Sequence, residues 1–234
     1  MKTKTKALVL ALCAVLLVVT TVFVTLAYLT ATTATVKNTF TVGNVILDDE
    51  KDLTDGLNEA KVDIYGKPVG EDGKPVDKVE AAPRVTANEY KLIPGHTYVK
   101  DPTLTVGKNS EEAYVRMIVT ITDLKDIKAA FGADFLPQNF VNGTWDSSIW
   151  KSHSYVVSAD GDTATCEFWY YKTVNTLDGK NLELEPLFKE IKVPANVSNE
   201  ALLALKEMKI DVVAHAIQAD GFANPEAAWA AFGK

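Results

Sequence analysis

A chain of 234 residues, 47% hydrophobic and 24% charged, is long enough for one β-sandwich or barrel, or at most two small domains. Its composition excludes disorder over most of the length. The formal net charge is −7, and without Lys2, Lys4 and Lys6 the remainder holds 21 basic against 31 acidic groups, so no basic stripe is available for nucleic acid.

The chain begins MKTKTK and continues ALVLALCAVLLVVTTVFVTLAYL, a basic start and an apolar run of the kind found in signal peptides and signal anchors. Thr25-Leu26-Ala27 places small residues at −3 and −1 of a cleavage between Ala27 and Tyr28. The expectation is therefore a signal peptide over 1–27, forming a hydrophobic helix, with membrane contact only while the leader is uncleaved. A lipoprotein box at Cys13 is disfavoured, because Leu12 stands where Gly or Ala belongs. The C-terminal AAWAAFGK carries no second apolar span and no LPxTG.

Residues 28–38 follow, and Tyr28–Val36 holds no charge. Thr30, Thr32, Thr33, Thr35 and Val36 are β-branched, and Tyr28 and Leu29 could anchor a strand. A strand that pairs with another sheet and a Thr-rich linker left after cleavage both fit this composition.

From Thr39 the body reads mainly as strands. TFTVGNVILDD alternates, with Gly43 as a candidate bulge. Residues 49–83 are acidic, rich in turn formers and contain GKPV twice, at Gly66–Val69 and Gly73–Val76, which reads as a solvated insertion with a surface hairpin. The acidic group Asp48, Asp49, Glu50, Asp52 and Asp55 lacks the ligand spacing of a calcium loop. Pro94-Gly95 predicts a type II turn. In Ala113–Ile121, Val115, Met117, Val119 and Ile121 alternate with Tyr114, Arg116, Ile118 and Thr120, the pattern of a strand with one face on a core. A short helix is predicted over Asp123–Phe131. Asp160-Gly161 predicts a hairpin within SYVVSADGDTATCEFWYYKTV, and EPLFKEIKV is a further strand. A helix is predicted over Asn199–Met208, capped by Ser198 or Asn199. MKIDVVAHAIQADGF reads as a long strand. NPEAAWAAFG reads as a helix with Asn224 at N-cap, Pro225 at N1 and Gly233 beyond its end. The resulting fold class is mainly β: an antiparallel, jelly-roll-like β-sandwich with a few short helices, over residues 39–234.

Catalytic chemistry is not apparent. His96, His153 and His215 are far apart, and HExxH, CxxC, GxSxG and phosphate-loop motifs are lacking, so no catalytic, cofactor or metal residues are assigned and no enzyme is expected. His215 reads as a sheet residue. Cys166, the single thiol beyond the leader, reads as a small buried strand residue, with a reactive or intermolecularly paired thiol as the alternative. Trp145, Trp150, Trp169 and Tyr171 could furnish a glycan platform, although core packing explains most such aromatics; Trp169 and Tyr171 share a face opposite Cys166, Phe168 and Tyr170.

Four ordered pieces resemble the TasA/camelysin family of Gram-positive extracellular proteins: a leader ending TLAYLT, NTFTVGNVILDD, KLIPGHTYVKDPTLTV leading into AYVRMIVTI, and MKIDVVAHAIQADGF. They span nearly the whole chain, while residues 49–83 and 135–150 carry none of the likeness. The resemblance implies export through a SipW-type signal peptidase to the cell surface or biofilm matrix. It also implies a jelly roll and self-association into fibres, with the N-terminal strand completing a neighbour's sheet and an accessory fibre protein as a possible partner. Part of the family is labelled metalloprotease; with no zinc motif here, that activity stays an alternative, as does a monomeric adhesion or glycan-binding module.

Overall fold

The computed structural model describes residues 30–32, 47, 56–141, 143–205 and 208–233. The leader, the Ala27–Tyr28 cleavage position, Leu29, Thr33, Thr35, Val36, the acidic group at 48–55 and the strand TFTVGNVILDD apart from Leu47 lie outside the described residues. Among the described residues, no helix is long and apolar enough to cross a membrane.

The elements in chain order are β1 (Thr30–Thr32), β2 (Leu57–Ala60), β3 (Arg84–Val85), β4 (Thr97–Val99), β5 (Thr103–Val106) and β6 (Ala113–Ile121). There follow α1 (Leu124–Phe131), β7 (Trp150–Val157), β8 (Ala164–Tyr170), β9 (Leu182–Glu183), β10 (Glu190–Lys192), α2 (Asn199–Leu203), β11 (Ile210–Gln218) and α3 (Pro225–Ala231). The chain is mainly β with a few short helices, as expected. A five-stranded sheet runs β1-β11-β6-β8-β7, a four-stranded sheet β3-β2-β5-β9, and β10 pairs with β4. Every pairing is antiparallel.

The alternation expected in β6 is realised: Ala113, Val115, Met117, Val119 and Ile121 are buried, and the residues between them are half-buried. Their inner face joins Ala214 and Ala216 of β11 and Cys166 of β8. Across the same core lie Leu104 and Val106 of β5, Tyr98 of β4 and Ile191 of β10. Residues of all three sheets therefore share one hydrophobic interior, and burial of these side chains is the main stabilising term.

Local signals explain the element ends. Ser198 Oγ accepts from Ala201 N at 3.1 Å and Asn224 Oδ1 from Ala227 N at 2.9 Å, each satisfying a donor that the first helical turn leaves unpaired. The α2 helix ends at Leu203, short of the expected Met208. At Pro94-Gly95, His96 N donates to Ile93 O at 3.2 Å and Gly95 has φ +73°, the predicted type II turn. Asp160-Gly161 lies in the loop joining β7 and β8, where Ser158 N donates to Thr163 O at 2.9 Å.

The segment expected to be a solvated insertion is more deeply integrated than its composition suggests. The two GKPV copies do form successive turns, with bridges Val62–Pro68 and Val69–Pro75. However, Leu57–Ala60 is a strand paired with β3 and β5, and Ala60, Val62, Val69 and Ala82 are buried. Buried charges lock it in place. Lys100 Nζ lies 2.7 Å from Glu59 Oε2, and Asn88 Nδ2 donates to Glu59 Oε1 at 2.8 Å. Arg84 Nη1 meets Asp101 Oδ2 at 2.6 Å, while Ala60 N donates to Asp101 Oδ1 at 2.7 Å. Burial, reinforced by Glu59 and Asp101, pushes the Tyr90 hydroxyl well above its ordinary pKa.

Two tests separate these anchors from solvated turns. Gly66 has φ +72°, and a Cβ there would stand 2.6 Å from Tyr98 Cα, whereas at Gly73, φ +75°, nothing lies within 4 Å. Gly66→Ala should therefore cost about 2–4 kcal/mol and Gly73→Ala about 1 kcal/mol in urea unfolding. Lys100→Met leaves Glu59 buried without its cation and should cost about 3–5 kcal/mol, with Glu59→Gln in the same chain restoring part of the loss.

Candidate assembly edge

Of the expected pairing segment, the described residues Thr30–Thr32 pair with the main sheet. In register, Thr30 faces Ile217, Ala31 faces Ala216 and Thr32 faces His215. Thus β1 covers one edge of β11 while β6 covers the other along nine residues, Ile210–Gln218 against Ile121–Ala113. What β11 offers at this edge is main-chain N–H and C=O groups, which any extended segment of compatible side chains can satisfy.

The outer face behind this edge carries a charge cluster that the sequence reading did not find. Arg116 Nη1 contacts Glu167 Oε1 at 2.9 Å, and Arg116 Nε donates to His215 Nδ1 at 3.1 Å. Glu167 Oε1 also accepts from Trp169 Nε1 at 2.7 Å. The C-terminal segment closes over them, with the Arg116 guanidinium 4.4 Å from the Trp229 ring centre and 4.9 Å from that of Phe232. Phe232 in turn stacks on the His215 ring at 4.6 Å and 19°. Burial first, then the neighbouring Arg116 cation, holds His215 down at about 4, against an opposing pull from Glu167. Its neutral Nδ1 is thereby available to accept the Arg116 hydrogen bond. Alternation in β6 had placed Arg116 on the outer face, but its partners come from strands 51 and 99 residues away, a register that local sequence does not encode.

The three histidines are not brought together. His96 Nε2 lies 2.9 Å from Tyr65 O, and its ring meets Tyr98 edge-on. His153 is the extra residue of a bulge in β7 and stacks on Trp169 at 3.8 Å. His153 and His215 are on strands three sheet spacings apart, about 14 Å, beyond the reach of one metal ion. Among the described residues, no group of three His, Cys, Asp or Glu side chains is placed to hold a metal.

The proposed glycan aromatics are also dispersed. Trp150 is fully buried with Nε1 donating to Glu185 O at 2.8 Å, and Trp145 packs on Phe168 in the core layer. Trp169 is on the opposite face, and Tyr171, past the end of β8, is exposed. These four side chains form no common platform. Cys166 is 8% exposed, and burial pushes its thiol up to about 11, the state of an inert core residue.

Comparison with known protein families, curated proteins and solved structures finds no match.

Since His215 is neutral in the fold, the unfolded imidazole takes up a proton that the folded one refuses between pH 6.5 and about 4. Its contribution is complete above 6.5 and is lost as the pH falls towards 4. His215→Asn keeps an acceptor but does not titrate. The loss in unfolding free energy between pH 7 and 4.5 should be smaller in this variant than in the parent, by up to about 3 kcal/mol, read from urea midpoints at the two pH values.

Proposed function

We propose that the protein is a secreted structural subunit of extracellular or biofilm-matrix fibres, built on a jelly-roll-like β-sandwich and assembled by donation of its N-terminal strand. The observation that carries this reading is the pairing of Thr30–Thr32 with β11. A segment that completes the sheet of its own chain can make the same main-chain hydrogen bonds to the β11 of another copy. The β-branched content of Tyr28–Val36 and its lack of charge suit such a strand.

The two ends of the main sheet support a directional contact. The far edge, β7, has no described strand on its outer side, and it carries Lys151 and the bulge at His153, features that discourage edge pairing. The β11 edge is instead covered by Thr30–Thr32 at Ile217, Ala216 and His215. Head-to-tail addition of β1 to β11 is heterologous and propagates as a filament where the rotation between copies does not close a ring. The resemblance to the TasA/camelysin family points the same way and adds SipW-type processing between Ala27 and Tyr28.

Versions beginning at Tyr28 and at Asn38 test the proposal by electron microscopy and size-exclusion chromatography. The first should polymerise and the second should stay monomeric. If both remain monomeric under all conditions, or both polymerise equally, strand donation is wrong. Thr30→Pro with Ala31→Pro in the Tyr28 version should also abolish fibres. Successive N–H groups point to opposite sides of a strand, so one of the two prolines removes a ladder donor.

A further inference from the structure

Beneath the inner face of the main sheet is a cavity of about 150 Å³, lined by none of the β11 residues that pair with Thr30–Thr32. Cys166 and Phe168 of β8 line it together with Phe140, Trp145 and Leu187, and the Trp145 ring packs edge-on against Phe168. Phe140, Leu187 and Cys166 are buried, whereas Gln138, Ser152 and Tyr155 are exposed, so the mouth lies on the β7 side. Ser152 is opposite Phe168 in the ladder and therefore shares its inward face. None of the lining residues is Asp, Glu, Lys, Arg or His.

These properties select a ligand. An apolar cavity of about 150 Å³ accommodates one benzene ring. A lining without charged side chains cannot offset the desolvation of an ionic group. At the mouth, the Ser152 hydroxyl and the Gln138 amide can meet one polar substituent, the arrangement of a small-molecule site with an apolar body and a few orienting groups. We propose that this cavity binds a small uncharged monocyclic aromatic of the phenol class, its ring against Cys166 and Phe168 and its hydroxyl at the Ser152 mouth. None of His215, Ala216 and Ile217, which pair with β1, lines the cavity, so the proposal stands or falls apart from fibre assembly.

Fluorine NMR titration of the purified protein with 4-fluorophenol tests it, with 4-fluorobenzoate as an ionic ligand of the same ring. The expected result is saturable binding of the phenol, at least tenfold weaker binding of the benzoate at neutral pH, and a Tm rise of about 3–6 °C at ten times Kd. Ser152→Phe fills the mouth from the strand and should weaken phenol binding at least tenfold while the protein stays folded. Gln138→Trp, on the loop side and outside the strand ladder, is a second plug should the first variant fail to fold. Absence of saturable phenol binding, equal binding by a folded plugged variant, or equal binding of the benzoate would each overturn the proposal.

Discussion

The double pairing of β6 is the constraint on which the rest of the structure depends. Its nine residues are matched to β11 along their full length, and Ile121–Arg116 are matched to β8 as well. A strand held on both sides cannot slip by one residue without exchanging its faces. Val115, Met117, Val119 and Ile121 are thereby fixed inward, where they meet side chains from all three sheets. The same constraint fixes Arg116 outward, so the inner face creates the core and the outer face inherits a charge.

That charge explains the C-terminal segment. A guanidinium on a sheet face, half-covered by neighbouring rings, needs its donors satisfied. Glu167 and His215 accept from it, and Trp229 and Phe232 lie over it. The covering of this face by α3 is therefore aromatic and apolar at the centre, with Ile217 and Ala228 buried beside Trp229. His215 links the two ends of the chain, because it is opposite Thr32 in the ladder and under the Phe232 ring. Docking of the N-terminal strand and closure of the C-terminal helix thus meet at one residue.

Much of this was legible in the sequence where the cause is local. The alternation in β6, the Ser198 and Asn224 caps and the Pro94-Gly95 turn all depend on residues within a few positions of one another, and each appears as read. What could not be read depends on distant partners. Glu59 lies in the acidic, turn-rich stretch and Lys100 and Asp101 between β4 and β5, yet each is buried because its counter-charge or donor arrives from elsewhere in the chain. The expected solvation of residues 49–83 gives way there for the same reason. A strongly apolar residue announces its own burial, whereas a charged one is buried only by virtue of its partner. That Thr30–Thr32 pairs with β11 was not legible, since β-strand pairing across the length of the chain carries no local mark.

The pairing of Thr30–Thr32 with β11 bears on how an edge can be both protected and, on the fibre proposal, exchanged. An uncovered β11 would expose a row of main-chain donors and acceptors, a template for indiscriminate pairing. Thr30–Thr32 covers Ile217, Ala216 and His215 of β11, with each main-chain hydrogen bond there having a net value of about 1 kcal/mol. On the fibre proposal, exchange between copies neither gains nor loses those bonds, since the same residues meet the same partners. The balance is then set by the entropy of association and by whatever additional surface two copies bury at the contact. Closure within one chain is favoured when the protein is dilute, and exchange is favoured when local concentration is high. On the fibre proposal, the pairing of Thr30–Thr32 with β11 is therefore a cover that a second copy can replace residue for residue.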